Sequence, residues 1–171
     1  MKRPGRGARQ RNVLPPSLLR KQLLLPLPDP YVQEVSLMSH LALEGCRAEA
    51  GNRHLVNALI WTSYLSFYLW QAGIGAASME VFQCVETTLD RVAVRGNESG
   101  IWRIADEEMT PVTRILCLYD QQLLSVHTGV FLESRQRLER LLSLDGSASP
   151  IQNRCIQQDR RDASEVANTC L

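Results

Sequence analysis

Between Arg53 and Glu80 the chain carries no Asp, Glu, Lys or Arg, and this 26-residue window limits the possible folds more than any other feature. Asn52 is a helix N-cap residue type and Gly73 suits the position just past a helix end, so residues 52–72 read as one helix. A helix of that length with no charged face has to be covered on nearly all sides, by other helices or by lipid. Trp61, Tyr64, Tyr68 and Trp70 are residue types of membrane interfacial belts. Two of these aromatics lie near the middle of the window, however, and Asn57, Thr62, Ser63, Ser66 and Gln71 are scattered through it. The reading is therefore a central helix enclosed by its neighbours, with membrane association through residues 54–79 as the alternative.

The flanking sequence supplies those neighbours. Residues 35–49 carry a stripe of Met38, Leu41, Ala42 and Gly45 with Leu37 beside it, and Gly51 ends that helix. Residues 76–94 place Phe82, Val85, Leu89 and Val92 on one face. Residues 95–100 read as a loop, and the alternation in Ile101-Trp102-Arg103-Ile104 suggests a short strand paired with residues 92–94. Thr110 and Pro111 look like an N-cap and first helical position. From there Val112, Ile115, Leu116, Tyr119, Leu123 and Val126 follow at helical spacing. The pattern continues to Val130, Leu138 and Leu141, as two helices or one kinked helix, and the cost of glycine in a helix favours a break near Gly129 without requiring one. Glu133 with Arg137, and Arg135 with Glu139, are spaced as i,i+4 pairs on a solvated face. The expected fold class is all-α: a single bundle of four to five helices over residues 34–145, with room for one short β-hairpin.

Charge divides the chain. All of Lys2, Arg3, Arg6, Arg9, Arg11, Arg20 and Lys21 precede the first acid, Asp29, and residues 29–171 carry 12 cations against 18 acids, a net charge of −6. Six prolines in residues 1–33 bias that arm away from helix, apart from the leucine-rich run 17–25. The domain reading is thus a basic, largely disordered arm (1–33), a helical body (34–145) and a polar, flexible tail (146–171). Such an arm binds polyanions by counterion release, so the seven cations are the candidate contact for an acidic partner or for nucleic-acid phosphates. It carries no aromatic residue among its arginines, so phosphate contact is expected and base readout is not. The expected partner is a protein, with nucleic acid reached through the arm only.

Five cysteines, Cys46, Cys84, Cys117, Cys155 and Cys170, form no CxxC pair. Cysteines in apolar segments behave as small buried hydrophobes, and a reducing, cytoplasmic compartment follows. The arginine-rich, acid-free arm makes a mitochondrial presequence the alternative.

Catalytic and cofactor signals are thin. Gly73-Ile74-Gly75-Ala76-Ala77-Ser78 resembles the opening of a dinucleotide fingerprint, but no strand precedes it, and a helix-to-helix turn is the expected reading. His40 and Glu44 share a helix face and Asp120 and His127 lie two turns apart, without the paired Glu-x-x-His motifs of a di-iron bundle. Cys117 and His127 are nearly three turns apart along one axis, too far for a nucleophile and its base. The acids Asp106 to Glu108 suit a helix start through the macrodipole. No catalytic, cofactor or metal residue is assigned, and the leading expectation is a non-enzymatic helical interaction or regulatory protein. The alternative is a small enzyme with a site assembled between helices around His40, His54 or His127.

Overall fold

The computed structural model describes residues 21–48, 50–144 and 149–152. They are predominantly helical: α1 (Asp29–Arg47), α2 (Arg53–Gln71), α3 (Met79–Ser99), α4 (Asp106–Ser125) and α5 (Thr128–Leu144). Among the described residues there is no strand, only an isolated antiparallel bridge between Pro26 and His127.

The charge-free segment is the centre of the assembly. α2 packs against each of the other four helices, which is why every residue from Thr62 to Leu69 is buried. Its hydroxyls are accommodated by bonding: Ser63 Oγ donates to Leu59 O at 2.9 Å, and Ser66 Oγ donates to Gln122 Oε1 at 2.7 Å. The Asn52 side chain caps the helix by accepting from Leu55 N at 3.1 Å. No helix among the described residues is long and apolar enough to cross a membrane.

Helix α1 differs from expectation in extent and in rotation. It begins at Asp29, inside the segment assigned to the arm, with Pro28 as N-cap and Pro30 in the first turn. A proline there forfeits no hydrogen bond, because first-turn amides have no intrahelical partner. The buried face is Val32, Ser39, Ala42, Leu43 and Cys46. Met38 and Leu41 are 63% and 54% exposed, so two members of the predicted stripe lie in solvent beside Leu37. Polar contacts account for the rotation. Ser39 Oγ lies 3.3 Å from Thr62 Oγ1 on α2, and Ser36 and His40 both reach Asp120 on α4. The replacement Leu41→Gln is therefore expected to change unfolding free energy by no more than about 0.5 kcal/mol. Leu43→Ala should cost about 2–5 kcal/mol in the same urea titration. Equal effects would refute this rotation.

The predicted loop over residues 95–100 is helix up to Ser99, and residues 101–105 are irregular rather than a strand. α3 runs on through Ser99 and stops at Gly100, whose φ of 75° is left-handed. Residues 92–94 lie inside α3, so they are not available to pair with Ile101–Ile104. Trp102 explains the continuation. A Cβ at Gly96 would fall 2.3–2.7 Å from the Trp102 indole, so only glycine lets the ring lie flat on α3 there. Ile104 is fully buried, and its amide donates to Cys46 O at 3.2 Å.

α4 starts at Asp106 rather than Thr110, leaving Pro111 inside the helix. Glu108 holds this earlier start. Its carboxylate accepts from Ala105 N at 3.0 Å and from both terminal nitrogens of the Arg95 guanidinium, at 3.2 and 2.8 Å. The chain breaks between α4 and α5 at residues 126–127, close to Gly129, which lies in the first turn of α5. Arg135 pairs with Glu139 at 2.8 Å as expected, whereas Arg137 lies over the Tyr68 ring, 4.6 Å from its centroid.

Both edges of the body extend past the expected limits. Leu27 belongs to the core, and so does Ile151, which is fully buried. Of the cysteines, Cys46 is buried as expected, but Cys84 and Cys117 are exposed, off the apolar stripes of their helices. Cys155 and Cys170 lie outside the described residues.

Candidate functional site

Of the seven arm cations, Lys21 is described: it is exposed, with helical backbone over residues 21–23, and the other six lie outside the described residues. The segment from Leu25 to Leu27 is tied to the body. Thr128 donates to Leu25 O through both its amide, at 2.8 Å, and its hydroxyl, at 2.9 Å. Together with the Pro26–His127 bridge and the burial of Leu27, these bonds set the point where the arm joins the helices.

The three histidines occupy separate neighbourhoods. His54 is exposed on the first turn of α2, and His127 is exposed between α4 and α5. His40 Nε2 lies 2.8 Å from Asp120 Oδ2, while Ser36 Oγ donates to Asp120 Oδ1 at 2.7 Å. Serine, histidine and aspartate are thus assembled, but each of the first two contacts the carboxylate. In a nucleophilic triad the histidine stands between the other two; here it has no contact with the hydroxyl it would have to deprotonate. The cluster clamps α1 to α4. No group of three or more His, Cys, Asp or Glu among the described residues is placed to hold a metal ion.

The glycine segment after α2 is a helix-to-helix turn. Gly73 and Gly75 adopt φ of 86° and 83°, and Ile74 O accepts from Gln122 Nε2 at 2.9 Å. A Cβ on Gly75 would meet Leu118 and Gln122 at 3.1 Å, so the turn is packed onto α4 with no room for a phosphate between them.

A second buried polar cluster joins α2, α3 and the C-terminal segment. Glu86 accepts from Tyr64 Oη at 3.2 Å and from the Ser149 hydroxyl. Burial pushes the Glu86 carboxyl above its ordinary pKa, against the opposing effect of those two donors. Burial likewise raises the Tyr64 phenol, with the neighbouring Glu86 charge adding to the shift. Glu108 moves the other way, held below the usual carboxylate range by its hydrogen bonds from Arg95.

A raised folded-state pKa means that the folded chain binds the Glu86 proton more tightly than the unfolded chain does. The contribution of Glu86 is therefore most favourable below its ordinary value of 4.5 and declines as pH rises through its folded pKa. Glu86→Gln keeps an acceptor for both hydroxyls and removes the titration. Urea unfolding at several pH values should show that the variant loses less stability than the parent chain as pH rises above that value. Identical pH dependence would contradict this placement of Glu86.

Beside this cluster, α2 and α3 enclose a cleft of about 690 Å³. Its α2 wall presents Arg53, Asn57, Trp61 and Tyr64, spaced to share one helix face. Asp90, Ala93 and Asn97 of α3 form the opposite wall, Trp102 stands at one end and Leu142 of α5 also contributes. Arg53 Nη2 donates to Asn97 Oδ1 at 2.8 Å, with the guanidinium 6.0 Å from the centroid of the Trp102 ring. Asp90 keeps an exposed surface, yet partial desolvation by its neighbours raises its carboxyl above the ordinary pKa. Sequence reasoning misses this site because Asp90 and Asn97 read as solvent-facing or loop residues and Trp102 as part of a strand. The spacing of Arg53, Asn57, Trp61 and Tyr64 is the available signal.

No protein-family model matches the chain, and comparisons with curated proteins and with solved structures likewise find no match.

Proposed function

We infer that this chain is a non-enzymatic interaction or regulatory protein of the cytoplasm. The five long helices among its described residues serve as one bundle-like scaffold for a basic arm that contacts an acidic protein partner or nucleic-acid phosphates. The observation carrying this reading is the charge split: seven cations before the first acid, attached to a body of net charge −6. Support comes from the way the arm joins the body, where Thr128, at the start of α5, holds Leu25 only four residues after Lys21.

The test compares the full chain with a form in which all seven cations are replaced by glutamine, and with a deletion of residues 2–21. Fluorescence anisotropy with a labelled single-stranded oligonucleotide and with a polyglutamate peptide reads binding. The full chain should bind at low salt, with log K falling in proportion to log salt by about 0.7 per phosphate contacted on a single strand. Neutralising the arm should abolish the binding. Equal binding by parent and variants, or no binding of either probe by the full chain, overturns the reading.

One observation favours the second reading, a small enzyme with a site between helices: the α2/α3 cleft collects Arg53, Tyr64 and Asp90 in one place. These groups form no relay, since Tyr64 donates to Glu86 and Arg53 donates to Asn97. A general acid or base works within hydrogen-bond reach of its proton partner, so the cleft suits binding better than chemistry.

A further inference from the structure

The two charges of the cleft have no ionic partners among the described residues. No hydrogen bond or ion pair from them reaches the Asp90 carboxylate, and Arg53 is held by the neutral Asn97 side chain rather than by an acid. Asp90 and Asn97 are seven residues apart on α3, so the anchored guanidinium and the free carboxylate are separated by about 10 Å along the cleft. Between them lie Ile60 and Trp61 from α2, Ala93 from α3 and Leu142 from α5, with the Asn57 side chain as a polar group on the α2 wall. Arg135, whose guanidinium lies 6.0 Å from the Trp61 ring centroid, is itself paired with Glu139 and leaves the Asp90 charge unanswered.

A cleft with a cation at one end, an anion at the other and a middle of apolar side chains plus the Asn57 amide complements a ligand of reversed polarity with a peptide-like body. Three extended residues of peptide span about 10 Å. The volume of about 690 Å³ lies within the range of sites that enclose small ligands. We propose that the α2/α3 cleft binds a zwitterionic ligand of about tripeptide length. Its carboxylate sits at Arg53 and Asn97, its ammonium at Asp90, and its apolar body lies against Ile60 and Leu142 between Trp61 and Trp102. This site is separate from the arm, and neither depends on the other.

Nuclear magnetic resonance of the full chain tests it, because the three tryptophans give three separate indole N–H signals. The probe is Ala-Leu-Ala with free termini, alongside its N-acetylated form, its C-amidated form and maltose. Saturable shifts of the Trp61 and Trp102 signals, with Trp70 unmoved, are expected for the free peptide. Capping either end should weaken binding roughly 2- to 5-fold, the effect of losing one exposed ionic contact. In Asp90→Asn the penalty for N-acetylation should vanish, and in Arg53→Gln the penalty for C-amidation should vanish. Both residues are exposed, so both variants should fold as the parent chain does. Absence of peptide-induced shifts, equal affinity for the capped peptides, or equal binding of maltose overturns the proposal.

Discussion

Phe67→Ala should lower the unfolding free energy by about 3–5 kcal/mol, at the top of the range for truncating a buried side chain. Phe67 is fully buried in α2. Its ring meets Phe82 of α3 edge-on at 5.3 Å between centroids and lies 5.8 Å from Trp70. Truncation removes the shared partner of two other aromatic rings at the point where α2 and α3 meet, and neither backbone can collapse into the space without disturbing a second interface. A fall in thermal midpoint of roughly 10 °C or more should accompany the change. Phe67→Leu, which keeps most of the volume, should cost about 1–2 kcal/mol. Urea unfolding followed by circular dichroism distinguishes these cases, and a loss below about 1 kcal/mol for the alanine variant would mean that α2 is not the central element.

Gln122→Met should cost about 3 kcal/mol although it preserves side-chain length and removes no apolar contact. Gln122 is fully buried on α4, and both ends of its amide are bonded. The oxygen accepts from Ser66 Oγ at 2.7 Å, while the nitrogen donates to Ser66 O at 3.0 Å and to Ile74 O at 2.9 Å. Methionine would leave the buried Ser66 hydroxyl and the part-buried Ile74 carbonyl without this partner, whereas Ser66 O keeps its place in the helical hydrogen-bond ladder, and a buried orphan costs about 1–3 kcal/mol unless it finds another. The Ile74 bond also holds the turn between α2 and α3, so the loss should appear as faster amide exchange at residues 73–75. Ser66→Ala alone should cost about 1 kcal/mol. Combined with Gln122→Met it should cost less than the sum, with a coupling of at least about 0.5 kcal/mol. Strict additivity of the two would show that they do not share this network.

The same kind of polar contact explains where the sequence is hard to read. Helix α1 has apolar residues on two faces, Val32, Ala42 and Leu43 on one and Leu37, Met38 and Leu41 on the other. Hydrophobic periodicity cannot choose between them. The choice rests on Ser36, Ser39 and His40, whose bonding partners Thr62 and Asp120 lie on other helices. The end of α3 is obscured in a similar way. Residues 95–100 have the composition of a loop, yet Trp102 folding back onto Gly96 and Arg95 bridging to Glu108 keep the helix going to Ser99. Each of these contacts joins separate segments of the chain, so none has a local signature. The candidate cleft belongs to the same class, because Arg53 and Asn97 are 44 residues apart and meet only when α2 packs on α3.

What the sequence by itself determined is the helical class, the existence of α2 and its enclosure by neighbouring helices. A charge-free run of that length, opened by an N-cap residue and closed by a glycine, has no other stable arrangement outside lipid. The basic arm and acidic body were likewise legible, because charge order along the chain does not depend on folding. Tertiary structure decided which face of α1 turns inward, where α3 ends and α4 begins, and that Arg53, Asp90 and the two tryptophans share one cleft. Those outcomes depend on hydrogen bonds and ring contacts between distant residues, and a one-dimensional pattern records the period of a helix but not the partner it turns toward.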